Sequence, residues 1–208
     1  MDSDGGYDEG YRDCPCFWGS EPGSLVKMLP KFFPHEMASS FVWDAGCGEG
    51  KNAIHFARSG ARVLATDVSS IALDNAKKFW PDASLVDWRK IDVLDVDPEP
   101  ETFNIVVMYG LLHCLENPSE IKRFVEIAKT SCKADGLHIL VAFNERKQEL
   151  HAHPGFAPTL VADSFYRELY TDWELVHHSD TDLHETHPHN NIPHMHSMTR
   201  LIARKTRS

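Results

Sequence analysis

An α/β fold with an open, doubly wound and mostly parallel sheet is what this 208-residue sequence predicts, on three observations. Short apolar runs alternate with segments of helical period along most of the chain, the pattern of strands covered on both faces by helices. The run Phe103-Asn104-Ile105-Val106-Val107-Met108 is almost continuously apolar, as a strand buried on both faces of a parallel sheet is. Finally, Phe41-Val42-Trp43-Asp44 runs into Gly46, Gly48 and Gly50, and after a helical pattern Arg62-Val63-Leu64-Ala65-Thr66-Asp67 ends on a carboxylate. The roughly 20 residues from the glycines to Asp67 are what one βαβ crossover needs to bring the ends of two neighbouring strands together.

Each element has a local reason. A polar, aromatic start is followed by a short helix over 24–33, ended near Pro34. The first strand spans 41–44. Ala53, Ile54 and Ala57 share one face of a helix over 51–59, and Gly60 stops it in the left-handed conformation such ends prefer. Ser69 caps a helix running to 78, with Ile71, Ala72 and Ala76 inward. A third strand near 84–86 leads to Asp92, and the proline-punctuated stretch 97–101 is a surface breaker before the buried strand 103–108. Asn117, Pro118 and Glu120 spell an N-cap, a first helical position and a capping-box acid, starting a helix to about 133. Asp135-Gly136 turns into a strand over 137–143. A helix over 158–170 and two strands, 173–178 and 198–204, complete the chain.

Length is consistent with a single domain over 1–208: an N-terminal lid or helical segment (1–34), a ligand-binding core (41–143), and a C-terminal helix and hairpin on the substrate side (144–208). The formal net charge is −10, and basic residues cluster only in the tail Arg200, Arg204, Lys205, Arg207. Nucleic-acid binding, which draws on clustered Lys and Arg, is therefore not expected. No apolar run approaches the roughly 20 residues of a membrane helix, and the acidic start lacks the features of a signal peptide. Five scattered cysteines suit a reduced, cytoplasmic setting. Cys14-Pro15-Cys16 lacks a second cysteine pair to complete a zinc site.

The glycine turn selects its ligand. A dinucleotide fold reads Gly-x-Gly-x-x-Gly beside a pyrophosphate, whereas here the spacing is Gly-x-Gly-x-Gly and Lys51 stands where that third glycine would be. Asp44 would set a carboxylate near any diphosphate. An anion is poorly served there and a cationic amino acid headgroup well served, so a nucleoside-type cofactor carrying such a headgroup is expected, rather than NAD.

At this point the chain resembles the class I S-adenosylmethionine (SAM)-dependent methyltransferases. Asp44-Ala45-Gly46-Cys47-Gly48-Glu49-Gly50 is similar to that family's first motif, Asp67 to its ribose-binding acid, and Ile91-Asp92-Val93 to its adenine-binding segment. Phe103 to Met108 resembles its fourth strand, with Asn104 in place of the more usual Asp. The resemblance implies a Rossmann-like, seven-stranded sheet with a C-terminal antiparallel hairpin, and SAM as cofactor. It places Gly46 and Gly48 around the methionine portion, with Cys47 beside them, and Asp44 at the ammonium. Asp67 and Val68 then lie at the ribose, Asp92 and Val93 at the adenine, and Tyr109 and His113 near the sulfonium. The absence of an Asn/Asp-Pro-Pro-Tyr segment after the fourth strand, where Tyr109-Gly110-Leu111-Leu112 stands, favours a small-molecule acceptor for a monomer or homodimer. Length, the Gly-Glu-Gly-Lys-Asn stretch and the ending Leu201 to Lys205 are similar to the tellurite-resistance and thiopurine-type branch. That branch implies a thiol or chalcogen oxyanion as acceptor, with His187, His196 and Arg200 carried over as acceptor-pocket residues. O-, N- or C-methylation of a small metabolite is the alternative.

Two further segments are expected to matter. Tyr7, Tyr11, Arg12, Phe17 and Trp18 could close over the cofactor, Arg12 pairing its carboxylate and Trp18 stacking nearby, or could simply pack on the domain. His184, Glu185, His187, His189, His194 and His196 crowd the link between the last strands. They read as a solvated polar loop or as acid/base groups titrating near pH 6.5, and least readily as ligands for zinc or iron; a His-rich metal-binding protein is the non-enzyme alternative. Methyl transfer itself requires no metal, and none is assigned.

Overall fold

The computed structural model describes residues 7–33, 36–153, 155–186 and 191–207. Its sheet has seven strands in the order β3-β2-β1-β4-β5-β7-β6: β1 (Phe41–Ala45), β2 (Arg62–Asp67), β3 (Val86–Lys90), β4 (Phe103–Tyr109), β5 (Cys132–Gln148), β6 (Glu174–Glu185) and β7 (His194–Arg204). β1 to β5 pair in parallel, and β7 runs antiparallel to both β5 and β6. The order reverses between β1 and β4, and such switch points open a crevice beyond the carboxyl ends of the strands.

Alternation along the strands splits the core between the two faces. Val42, Val63, Ala65, Ile105 and Val107 pack with Ala53, Ile54 and Phe56 of α3 (Lys51–Arg58) on one side. Trp43, Val106, Met108 and Leu140 pack on the other with Ile121, Phe124 and Val125 of α5 (Pro118–Ser131). Asn104, where an acid was anticipated, accepts from the Phe41 amide at 3.0 Å and so ties the start of β4 to β1.

The expected caps form. Ser69 accepts from the Ala72 amide at 3.0 Å to start α4 (Ser70–Phe79), and Asn117 accepts from the amides of Ser119 and Glu120. Glu120 reaches back to the Glu116 amide, one residue before the cap. Gly60 takes a φ of +91° after α3.

Several boundaries differ from expectation. The third strand is Val86–Lys90, because Ala83–Leu85 is a 3-10 turn. Helix α2 covers only Ser24–Met28, continuing as a 3-10 turn across Pro30; Pro34 lies outside the described residues. A short helix α1 (Asp8–Asp13) precedes it. The helix expected over 158–170 shrinks to α6 (Asp163–Glu168): the Thr159 amide donates to His113 O at 2.8 Å and its hydroxyl to Leu115 O, which holds that stretch extended. The last hairpin is much longer than its apolar runs suggest, its pairing continuing to Glu185 opposite His194. Among the described residues no helix is long and apolar enough to cross a membrane.

Candidate functional site: a cleft across the carboxyl ends of the sheet

A cavity of about 380 Å³ runs across the sheet in strand order. Its wall is built from Ile91–Leu94 after β3, Asp67 and Val68 at β2, Gly46–Asn52 after β1, and Tyr109–Leu111 with His113–Glu116 at β4. Val141 and Phe143 of β5, Met198 of β7 and Glu185 of β6 finish it.

The glycines earn their places sterically. Gly46 (φ +63°) and Gly48 (φ +53°) sit in the left-handed region, where side chains are disfavoured. A Cβ on Gly46 would meet Leu111 Cδ1 at 2.7 Å, and one on Gly48 would meet Tyr11 Oη at 2.9 Å. Asp67 Oδ2 accepts from the Gly48 amide at 2.7 Å and Oδ1 from the Ser69 amide at 2.9 Å, leaving lone pairs on both oxygens toward the cavity it lines. Burial raises its pKa. Asp92 Oδ1 accepts from the Leu94 amide at 2.9 Å, fixing the turn that presents Asp92 and Val93 to the cavity.

Asp44 is 1% exposed, and its Oδ2 has no hydrogen-bond partner among the described residues. Burial pushes its carboxyl up to about 7, against a backbone hydrogen bond from Ala53. A buried acid with an orphaned oxygen behind a glycine turn lacks a cationic donor, and an amino acid ammonium is such a group. Asp44 does not itself line the cavity; Gly46, two residues on, does.

At the other end His113 is buried and stacked on Phe143 at 4.1 Å. Its Nδ1 accepts from the Phe143 amide at 3.1 Å, so the ring proton is on Nε2. Burial, with His196 and His153 nearby, lowers its pKa to about 3. His113 is thus a neutral donor at physiological pH and not a base. Burial raises the Glu185 carboxyl. Tyr109 lines the cavity and its hydroxyl accepts from the Ser24 amide at 3.2 Å.

The N-terminal aromatics reach the cavity: Tyr7, Tyr11 and Trp18 line it, and Trp18 Nε1 donates to Tyr11 Oη at 3.2 Å. The segment is pinned by Glu49, whose carboxylate accepts from the amides of Cys16 and Phe17 at 2.8 and 2.7 Å.

Of the residues singled out in the sequence, Trp18, Gly46, Cys47, Gly48, Asp67, Val68, Asp92, Val93, Tyr109 and His113 meet on this one cavity. Others do not. Arg12 is exposed, because α1 turns Tyr11 inward and position 12 outward; the cation at the cavity wall is instead Lys51, whose Nζ donates to Trp18 O at 2.8 Å. Arg200 donates to Thr181 O and Oγ1 across the hairpin rather than into the cavity. His196 is fully buried beside the cavity, stacked on the far side of Phe143 at 4.2 Å. His187 and His189 lie outside the described residues. A solvated loop is not what His194 and His196 form, since both are buried on one face of β7. The contacts of Lys51, Glu49 and His153 were missed: Lys51 counted only as a departure from the dinucleotide spacing, Glu49 only as part of the first motif, and nothing local marks His153.

Residues 42–136 match the family model described as a methyltransferase domain. That segment, just under half of the chain, has the character of a methyltransferase domain. The chain is 28% identical over 122 residues to a ubiquinone biosynthesis O-methyltransferase of Methylocella silvestris, a match covering 57% of this chain and 46% of that one. The chain thus spans about half the length of the curated relatives it matches. Its fold is shared with the structure from work on the conversion of a disulfide bond into a thioacetal group during echinomycin biosynthesis (TM-score 0.72, 21% identity, covering 97% of this chain and 91% of that one). A SAM-dependent methyltransferase of Methanosarcina mazei superposes with TM-score 0.71 at 17% identity, covering 87% and 98%. SAM is accordingly the cofactor, and the glycine turn with the orphaned Asp44 fits it.

Proposed function

We propose that this methyltransferase alkylates a small-molecule nucleophile at the β4–β6 end of the cavity, with a thiol or a chalcogen oxyanion as the preferred acceptor. One observation carries the reading: a single cavity has carboxylates at its β1–β3 end and an aromatic, histidine-containing wall at the other. Bound SAM supplies an activated methyl on a sulfonium. Asp67 holds the ribose hydroxyls, Asp92 the adenine amine, and Asp44 favours the ammonium from behind the turn. Tyr7, Tyr11 and Trp18 cover the site and exclude water. Tyr109 and the Nε2–H of His113 position the acceptor, since orientation rather than proton removal dominates a transfer from so reactive a donor.

With His113 a donor and not a base, an acidic nucleophile is favoured at this end: thiols ionise near pH 8.5 and phenols near 10, so a thiol reaches its anion with less help. The sulfur chemistry named for the echinomycin protein agrees with this preference. O-methylation is the second reading, favoured by the name of the curated relative.

Calorimetry with SAM should give micromolar binding that Asp67→Ala weakens by about 100-fold or more; unchanged affinity sinks the site. Release of S-adenosylhomocysteine, followed across thiol, selenite, tellurite and catechol acceptors, should be fastest with a thiol or an oxyanion. Turnover on catechols alone would shift the assignment to oxygen.

A further inference from the structure

Four side chains converge at the far end of the hairpin without a part in cofactor binding. His153 follows the 3-10 turn Leu150–Ala152, His194 and His196 sit at alternate positions of β7, and Glu185 closes β6 opposite His194. The Nε2 atom of His153 lies 3.1 Å from that of His194 and 3.2 Å from that of His196. Glu185 Oε1 is 3.7 and 3.8 Å from the same two nitrogens, and one ligand atom from each residue falls within 4.8 Å of all the others. The three imidazoles are buried.

Neighbours decide which nitrogens offer lone pairs. His194 Nδ1 is 2.7 Å from Ile192 O, and a carbonyl only accepts, so Nδ1 carries the proton and Nε2 the lone pair. His196 Nδ1 is 2.8 Å from Gln148 Oε1. The Gln148 amide nitrogen donates to Asn144 O and Ser197 O, which fixes Oε1 as an acceptor and again leaves the lone pair on Nε2. Two imidazole lone pairs and a carboxylate oxygen therefore face one point, with the third imidazole nitrogen against both. Bonding the distal ring nitrogen to a carbonyl or amide is how metal-ligating histidines are oriented. With metal–nitrogen bonds of about 2.0–2.1 Å, the edges of a tetrahedral shell are about 3.3 Å, close to the spacings here.

We propose that His153, His194, His196 and Glu185 bind a divalent first-row transition-metal ion, of which Zn²⁺ is the probe. Three imidazoles and one carboxylate suit such an ion, whereas Mg²⁺ and Ca²⁺ favour oxygen shells. The ion sits at the acceptor end of the cavity: Glu185 lines that cavity, and Phe143 is sandwiched between His196 and His113. Resting on the methyl-transfer reading, its role would be to take the acceptor's thiol or hydroxyl as the conjugate base in the position that Glu185, the ligand lining the cavity, gives up, the proton leaving to solvent. This revises the expectation that no metal is involved.

Full-length protein purified without a histidine tag, supplied with Zn²⁺ and dialysed, should retain about one equivalent by elemental analysis. In competition with a chromophoric chelator, His194→Ala should abolish binding, and Gln148→Ala, which removes no ligand but frees His196 Nδ1 and gives up the bonds to Asn144 O and Ser197 O, should weaken it about 10–100-fold. Should His194→Ala fail to fold, the Gln148 variant carries the test. Substoichiometric metal in the wild type, or undiminished affinity in Gln148→Ala, overturns the site. SAM calorimetry on the same samples reports separately on the cofactor reading. Chelated protein should keep SAM affinity and lose turnover; full turnover after chelation overturns the role at the acceptor end.

Discussion

The two ends of the cleft are built by different means. At the β1–β3 end, backbone amides do the shaping: those of Ser69 and Leu94 hold Asp67 and Asp92 from two residues away, and that of Gly48 holds Asp67 from the end of the adjacent strand. At the hairpin end, residues far apart in sequence meet only because β6 and β7 pair as far as Glu185 and His194, beside the turn that carries His153. A site made by a local turn is robust to changes elsewhere, whereas a site made by strand register depends on the whole pairing. The ends should therefore fail independently.

Gly50→Val should have the largest effect. Gly50 has a φ of +77°, and a Cβ there would meet Trp88 Cη2 at 2.2 Å. Left-handed strain together with overpacking should destabilise the fold by about 2–5 kcal/mol, measured by denaturant unfolding. Wild-type stability in this variant would show that the turn is less constrained than its geometry says.

Asp67→Ala comes next. Losing hydrogen bonds from a charged acceptor, worth about 1.5–3 kcal/mol each, should weaken SAM by about 100-fold or more in calorimetry. Zn²⁺ stoichiometry should not change, and a parallel loss of metal would show that the two ends are coupled.

A smaller effect separates the ends by pH. The Asp44 carboxyl is raised to about 7, and a cationic ligand favours its ionised form. Cofactor affinity should therefore rise with pH between 6 and 7.5, by at most about tenfold per unit. Asp44→Asn should flatten that dependence; an equally steep profile in the variant would place the titrating group elsewhere.

His113 and the core residue His138 are both lowered to about 3 by burial. A histidine whose folded pKa is depressed contributes stability that is present above its unfolded value, near 6.5, and lost as pH falls toward 3. Acid unfolding should begin in that window, and His138→Gln should shift its onset to lower pH in a circular dichroism titration. The smallest effect belongs to Arg12→Ala: an exposed side chain outside the cavity should leave SAM affinity within about twofold.

The sheet class, the caps at Ser69 and Asn117, and the acids around the glycine turn were legible because each is written within a few residues of its effect. The shortfall at 158–170 arose because tertiary hydrogen bonds from Thr159 hold extended a stretch whose composition suits a helix. Arg12 was misplaced because the facing of a one-turn helix depends on what it packs against. The alternate spacing of His194 and His196 suits one face of a strand, yet nothing near them discloses their burial.

By itself, the order of residues determined the glycine turn, the acids at the ends of β1 and β2 and just after β3, and hence the class of cofactor. Local sterics and short hydrogen bonds act whatever the rest of the chain does. Tertiary structure alone decided that His113 is held neutral, that Lys51 rather than Arg12 faces the cavity, and that His153 joins Glu185, His194 and His196. Burial and long-range strand register have no signature within a window of sequence, because each is a property of what the folded chain brings alongside.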